Sequence, residues 1–271
     1  MSDLKEEFKR ATEREKRRKR VKRLAFNLLG GVIFLALWEI APRLIDWLNP
    51  SLFPPPSKVA QSLIPLIVSG ELWTHIVASM ERAIAGFAIG VVVGVVAGVS
   101  SARLEWFNYL TEPILHGFRA VPVLAIVPIV VLWFGIGEPP KVALIAWGAF
   151  FPVWITTLIG VRDVNQIYLK SAASLGASRS DTLFLVVLPA ALPFILTGIR
   201  QAIALSLVVL VAAELSGSLS GIAYMMSLGN QLFYVEWMFI GIGALGASGF
   251  IADRVFVFVT RKAFPWYNSQ N

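Results

Sequence analysis

The sequence predicts an all-α polytopic membrane protein with about six transmembrane helices. The 271 residues are 56% hydrophobic and only 15% charged, with a mean hydropathy of +0.70. These values lie far from those of an ordinary soluble domain. Apolar runs also approach the ~20 residues that a helix needs to cross hydrocarbon. The six predicted spans are roughly 24–41, 83–102, 120–136, 141–160, 190–214 and 237–259.

A basic tail precedes the first span. Residues 1–23 hold eleven Lys and Arg against five Asp and Glu, which is +6 of the formal net charge of +7. A basic block directly before an apolar span is typical of a cytoplasmic anchor against anionic lipid, and we expect no nucleic-acid binding. The domain division is therefore a tail over 1–23, a transmembrane domain over 24–259 and a second tail over 260–271.

The connection after the first span begins with a proline run, Phe53-Pro54-Pro55-Pro56. Proline lacks the backbone donor and restricts the residue before it, so the first helix cannot continue through this run. We expect Ser57 to cap a short amphipathic helix that follows.

Basic residues alternate between the connections. They are frequent in 103–119, in 161–189 and at the C-terminal end, whereas none occurs between Ser216 and Val235. The positive-inside rule then places both termini and the segment 161–189 in the cytoplasm.

Glycines recur every four residues in the second span. Gly86, Gly90, Gly94 and Gly98 form one stripe along a helix, which predicts a face for close packing against another backbone. A phosphate-binding loop would need the pattern GxxxxGK[ST], which the chain lacks. Any nucleotide that drives this protein is therefore expected on another subunit.

The third and fifth spans contain residues with two interpretations each. Pro122 and Pro128 predict either a broken helix that borders a pathway or an ordinary proline kink. Glu214 lies on the half of the fifth span away from the cytoplasm, either lining an aqueous cavity or gate or ending a helix at the interface. Arg82 lies near a span edge, and we expect it to reach the headgroups.

Catalytic and metal chemistry is not indicated. The chain has no cysteine, and its two histidines, His75 and His116, lie in separate connections where we expect interfacial side chains. No Ser, His and Asp constellation can be assembled within the spans. We therefore predict no catalytic residue, no metal site and no cofactor in this chain.

The segment KSAASLGASRSDTLFLVVLP, residues 170–189, separates two apolar runs. It predicts a helix, a turn at Gly176 and a second helix that returns to the bilayer. Its small residues form either a weakly apolar knob suited to a groove on a partner or an ordinary helix turn. The candidate docking residues are Ala172, Ala173, Leu175, Gly176, Ala177 and Ser178.

This segment resembles the cytoplasmic signature of permease subunits of binding-protein-dependent ABC importers, written EAA, three residues, G, nine residues, I, one residue, LP. The matching positions are Lys170-Ser171-Ala172, Gly176, Val186 and Leu188-Pro189. Lys170 replaces the acidic residue and Ser171 the first alanine. The stretches FPPPSKV, ASMERAIAGFAIG, FRAVPVLAIVPIVVLWFGIGEPPK, LPAALPFILTGIRQAIALSLVVLVAAEL and GIAYMM are similar to the taurine, aliphatic sulfonate, nitrate and bicarbonate branch of this family.

The resemblance implies a permease in a bacterial inner membrane that imports a small solute, such as a sulfonate or another anion. It implies a second permease copy in a homodimer, two cytoplasmic ATPases that carry ATP and Mg, and an external substrate-binding protein. The docking residues above would contact the ATPase. An ion-coupled secondary transporter and a lipid-facing scaffold are the alternatives from other classes.

Overall fold

All regular structure in the described part of the chain is helical, which confirms the predicted fold class. The computed structural model describes residues 2–45, 49 and 51–264. The helices are α1 Ser2–Leu44, α2 Pro56–Val68, α3 Glu71–Arg103, α4 Glu105–Arg119, α5 Val123–Phe134, α6 Glu138–Arg162, α7 Gln166–Ser174, α8 Arg179–Asp181, α9 Leu188–Leu215, α10 Ile222–Gln231 and α11 Val235–Ala263. A π-helical turn, Thr182–Val187, joins α8 to α9.

Residues 1–65 form the first of two units. Helix α1 runs from the basic tail through the apolar residues 21–44 without a helix boundary at residue 23. Helix α1 ends at Leu44, before the proline run, and the Trp38 indole N–H donates to the Pro54 carbonyl at 3.1 Å. Ser57 does not cap α2. It is the second residue of α2, and its N–H and hydroxyl donate to the Glu39 carboxylate at 3.0 and 2.8 Å.

Residues 66–271 form the second unit, whose central helix is α6. Leu144, Ile145, Ala149 and Trp154 of α6 are almost completely buried. Helices α3 and α9 pack against α6 and supply most of its neighbours. Gly148 of α6 packs against Val209 of α9, whereas Gly160, further along α6, packs against Phe194, which comes earlier in α9. Helices α6 and α9 therefore run antiparallel.

The glycine stripe is the packing face that the sequence predicts. A Cβ atom on Gly90 would lie 2.6 Å from the Ala149 Cβ, and one on Gly98 would lie 2.7 Å from the Thr157 Cβ. Such distances are well inside van der Waals contact, so only glycine lets the two backbones approach this closely. Gly86 and Gly94 meet Ile145 and Val153 in the same register, so α3 and α6 run parallel.

The predicted third span, 120–136, is wrong in its extent. The chain there forms α4 and α5, which are bent by 107° across the break at 120–122. Helix α5 has 12 residues, about 18 Å, which is too short to cross about 30 Å of hydrocarbon. Because α3 and α6 are parallel, the chain between them must return across the membrane. Helices α4 and α5 therefore form one broken crossing, and 103–119 is not the surface connection that the sequence predicts.

The other crossings agree with the sequence. Helices α3, α6, α9 and α11 are long and apolar enough to span, as are residues 21–44 of α1. With the broken pair, the described part of the chain has six candidate crossings, the number that the sequence predicts.

Candidate functional site

A buried ion pair joins α3 to the end of α9. Arg82 is 6% exposed and the Glu214 side chain is completely buried, with the Arg82 Nη1 atom 2.9 Å from Glu214 Oε1. The expectation that Arg82 reaches the headgroups is therefore wrong. Glu138 and Ser220 enclose its guanidinium instead.

The guanidinium of Arg82 uses all five of its N–H donors. Nη1 also donates to the Ser220 carbonyl at 2.7 Å, and Nη2 donates to the Ser220 hydroxyl and to Glu138 Oε1, both at 2.9 Å. The fifth donor, Nε, bonds to Glu138 Oε2. A buried charge is stabilised only when it is paired and hydrogen-bonded in this way.

The first N–H groups of α10 are capped by side chains from α3 and α9. The pairs are Gly221 N–H with His75 Nδ1 at 3.1 Å, Ile222 N–H with Ser79 Oγ at 2.8 Å, and Ala223 N–H with Glu214 Oε2 at 2.9 Å. Ser79 in turn donates to Glu214 Oε1 at 2.6 Å. A carboxylate at a helix N-terminus is also favoured by the helix dipole. Glu214 is thus placed to hold α10 against the ends of α3 and α9.

We call Ser79, Arg82, Glu138, Glu214 and Ser220 the Arg82 cluster. Its outer side borders an open cavity of about 390 Å³, lined by Ala78, Glu81, Arg82, Glu138, Val142 and Ser220. Glu214 is absent from that lining and lies at the end of α9. His75 lies near the start of α3, and α10 packs over both residues, which are buried.

Gly221 is the residue that allows this close cap. Its φ of +120° is unfavourable for other residues, and a Cβ atom there would overlap the Glu214 carboxylate. The sequence patterns assign neither His75, Ser79 nor Gly221 to a site. A usable signal was the spacing of His75, Ser79 and Arg82, which lie on one face of α3 at i, i+4 and i+7.

The turn after α7 has the geometry that the sequence predicts. Gly176 has φ of +72°, its N–H donates to the Ala173 carbonyl, and the Ala177 N–H donates to the Ala172 carbonyl, each at 3.0 Å. This is a Schellman end of a helix. Ser178 then caps α8, since its hydroxyl accepts the Asp181 N–H at 3.1 Å.

The exposed part of this turn differs from the predicted knob. Ala172 is buried, so it is not available to a partner, whereas Leu175 is 87% exposed. Ile167 and Tyr168 on α7 are also exposed. The candidate docking surface thus consists of Leu175 with the exposed Ala173, Gly176 and Ser178, the half-buried Ala177, and two apolar residues that the sequence analysis missed.

The two prolines lie in the broken crossing. Pro122 is the residue before α5 and has extended backbone geometry, while Pro128 lies inside α5 and is exposed. The bend at the break excludes an ordinary kink at Pro122. Among the described residues, no group of three or more His, Asp or Glu is placed to hold a metal ion.

Residues 90–264 match the family described as the inner membrane component of binding-protein-dependent transport systems. The chain belongs to this family. It is the permease subunit of an ATP-driven importer in the inner membrane, and ATP hydrolysis takes place on a partner subunit.

Curated relatives agree over nearly the full length. The taurine transport system permease protein TauC of Escherichia coli strain K12 is 32% identical, with 87% of each chain covered. The putative aliphatic sulfonates transport permease protein SsuC of Bacillus subtilis strain 168 is 35% identical, with 90% of this chain and 88% of the relative covered. The protein of the same name from Escherichia coli strain K12 is also 35% identical.

Solved structures support the fold. An amino acid ABC transporter with histidines has a TM-score of 0.60 at 15% identity, covering 75% of this chain and 96% of its own. The MetNI methionine ABC transporter in an inward-facing conformation has a TM-score of 0.51 at 19% identity, covering 74% and 96%. The family assignment replaces the secondary-transporter and scaffold alternatives.

Proposed function

We propose that this permease imports a small organic sulfonate, such as taurine. The observation that carries the proposal is the 32–35% identity to permeases named for taurine or aliphatic sulfonates, over 86–90% of this chain. Selection by an external binding protein leaves the pathway itself to bind the anion only weakly.

The proposed assembly contains two copies of this chain, two cytoplasmic ATPases that carry ATP and Mg, and one external binding protein. Residues 24–259 are the permease domain and 260–271 a cytoplasmic tail. The basic residues 1–23 lie against anionic lipid on the cytoplasmic side. Both termini are then cytoplasmic, in line with an even number of crossings and with the positive-inside rule.

The coupling element in this proposal is the surface formed by Leu175, Ala173, Gly176, Ala177 and Ser178, with Ile167 and Tyr168 beside it. An exposed leucine on a rigid turn suits an apolar groove on the ATPase. Ala172 supports the turn from inside through its carbonyl.

Glu214 and Arg82 form the proposed gate on the opposite side. Helix α9 connects the π-helical turn at one end with Glu214 at the other, so movement of the docked turn can shift the cap on α10. Docking of a loaded binding protein outside then favours the same state as ATP inside, since coupling between two sites is reciprocal. Pro122 and Pro128 border the pathway at the broken crossing.

The test is uptake by the complex that co-extracts with this chain, reconstituted into vesicles. We expect ATP-dependent uptake of radiolabelled taurine that excess ethanesulfonate inhibits and excess nitrate does not. Inhibition by nitrate alone would replace the sulfonate with an inorganic anion. Absence of an ATPase in the extract would contradict the proposed assembly.

A further inference from the structure

An arginine lies at the break between α4 and α5, deep within the membrane. Three contacts define the path of α4 along α6: Glu112 lies 3.6 Å from Arg162, and the His116 and Phe118 rings lie 5.3 and 5.4 Å from the rings of Trp154 and Trp147. The chain thus climbs from one end of α6 towards its middle. Arg119 follows Phe118 directly.

Trp147 gives the depth of this arginine. Trp147 is about 14 Å from the start of α6 and about 22 Å from its end, at 1.5 Å per residue. Arg119 is therefore near the middle of the crossing, too deep for its side chain to reach headgroups. The expectation that 103–119 lies in the cytoplasm does not hold for this residue.

No hydrogen bond or ion pair joins the Arg119 guanidinium to the described part of the chain, and its side chain is exposed. A charge at this depth is strongly unfavourable unless it is paired or lies in a water-filled cavity. Arg82, in the first half of α3, makes five hydrogen bonds by comparison, to Glu138, Glu214 and Ser220.

The backbone at the break also needs hydrogen-bond partners from outside the described residues. The carbonyl oxygens of Ala120 and Val121 accept no hydrogen bond within the described residues, and Pro122 gives α5 no side-chain cap. Unpaired backbone groups at membrane depth are tolerated only where they face protein or an aqueous cavity. An aqueous cavity at the break would satisfy both this backbone and the Arg119 charge.

We propose that Arg119 lines the aqueous pathway and binds the transported anion as it passes the break, its guanidinium donating to two oxygens of a sulfonate. This inference rests on the proposed import of an anion and adds the contact within the membrane. Guanidinium N–H groups match paired oxyanion acceptors in geometry and in charge.

The first test uses the absence of cysteine in the chain. Ala120→Cys places a single thiol beside Arg119, and Ile89→Cys places one at the same depth on α3, next to Gly90 and its contact with Ala146. In the reconstituted complex, we expect water-soluble methanethiosulfonates to modify residue 120 and not residue 89. No modification at residue 120 would overturn the proposal.

The charge of the reagent tests the role of the guanidinium. We compare the modification rate of residue 120 by the anionic 2-sulfonatoethyl reagent with the rate by the cationic 2-(trimethylammonium)ethyl reagent. Adding Arg119→Gln should lower the anionic-to-cationic ratio by about threefold or more, the effect of one nearby charge in water. Adding Arg103→Gln, at the exposed end of α3, should leave the ratio unchanged. An equal ratio with and without Arg119 would overturn the proposal.

Transport supplies the second test. Arg119→Gln should lower taurine uptake about tenfold, as expected for a lost hydrogen bond to a charged group, and Arg119→Lys should restore part of it. ATP hydrolysis stimulated by the loaded binding protein should persist.

Loss of the second permease copy from the complex of the Arg119→Gln variant would instead identify an ion pair between copies and contradict the proposal. If the wild-type complex imports no sulfonate while the thiol results hold, the proposed substrate fails and the anion pathway stands.

Discussion

At the residue scale, burial makes Arg82 and Glu214 unequal partners. Arg82 retains Glu138 if Glu214 is lost, whereas Glu214 loses its cation if Arg82 is lost. Breaking a buried pair is most costly where it leaves a charge without a partner. Replacing Arg82 is therefore expected to lower the free energy of unfolding more than replacing Glu214.

Arg82→Met should lower the free energy of unfolding by about 3–5 kcal/mol, because it leaves the Glu214 carboxylate buried and uncompensated. Glu214→Gln should cost about 1–3 kcal/mol, the range for a lost buried hydrogen-bond partner. Unfolding in detergent, followed by tryptophan fluorescence, measures both. The control is Arg200→Gln, whose exposed pair with Asp253 should contribute about 0–1 kcal/mol. Equal losses for Arg82→Met and Arg200→Gln would contradict the cluster.

Gly221→Ala should detach α10 from its cap, because the added Cβ overlaps the Glu214 carboxylate at an unfavourable φ. Hydrogen exchange of the α10 amides should become faster. Gly243→Ala in α11, where a Cβ would meet no atom within 4 Å, should be neutral or stabilise by about 0.5–1 kcal/mol. Unchanged exchange in Gly221→Ala would show that the cap tolerates a side chain.

At the element scale, two parallel helices in register determine the course of the chain. The glycines of α3 meet α6 at regular intervals, and this forces α4 and α5 to form a broken crossing between them. A broken crossing at membrane depth is a common site for a solute pathway. The close packing of α3 on α6 therefore determines where the pathway residues lie.

Gly90→Leu should separate α3 from α6 and cost at least about 1–3 kcal/mol, the range for overpacking a close interface. The matched control is Ala88→Leu, an exposed position on the same helix. Thermal unfolding of the purified chain in detergent provides the comparison. Similar melting temperatures for the two variants would argue against the glycine face.

Leu175→Ser should reduce co-purification of the ATPase roughly tenfold or more, as expected for a central apolar contact residue. The fold should be unaffected, since this side chain is 87% exposed. Leu219→Ser is the control, because Leu219 is 88% exposed and follows the opposite end of α9. ATPase recovered at the wild-type ratio with Leu175→Ser would exclude this turn as the docking surface.

At the scale of the whole molecule, function depends on two ends of one bundle. The turn at Gly176 lies at one end of α9, and the Arg82 cluster with α10 lies at the other. An importer must link ATP on the cytoplasmic side with acceptance of solute on the external side, and α9 connects the two regions directly.

The two ends should face opposite sides of the membrane. Single-cysteine variants Leu175→Cys and Leu219→Cys are suited to this test, since both side chains are exposed and the chain has no cysteine. A membrane-impermeant maleimide should label Leu175→Cys only in inside-out vesicles and Leu219→Cys only in right-side-out vesicles. Labelling of both variants from one side would contradict six crossings.

Much of the fold follows from local properties of the sequence. Hydropathy defines the spans, because hydrocarbon admits only long apolar helices. Four-residue glycine spacing predicts the α3 packing face, because i and i+4 side chains share one side of a helix. The turn at Gly176 and the break at Pro122 follow from backbone preferences that each residue carries wherever it occurs.

Only the tertiary structure decided which charges and surfaces have partners. Arg82 and Glu214 are 132 residues apart, so no local pattern links them, and the sequence left Glu214 with two interpretations. Ala172 and Leu175 are both apolar and close in sequence, yet packing buries one and exposes the other. Arg119 belongs by sequence to a basic surface connection, and the parallel packing of α3 and α6 places it deep in the membrane. Partners and depth are properties of the assembled helices, because each depends on segments far apart in the chain.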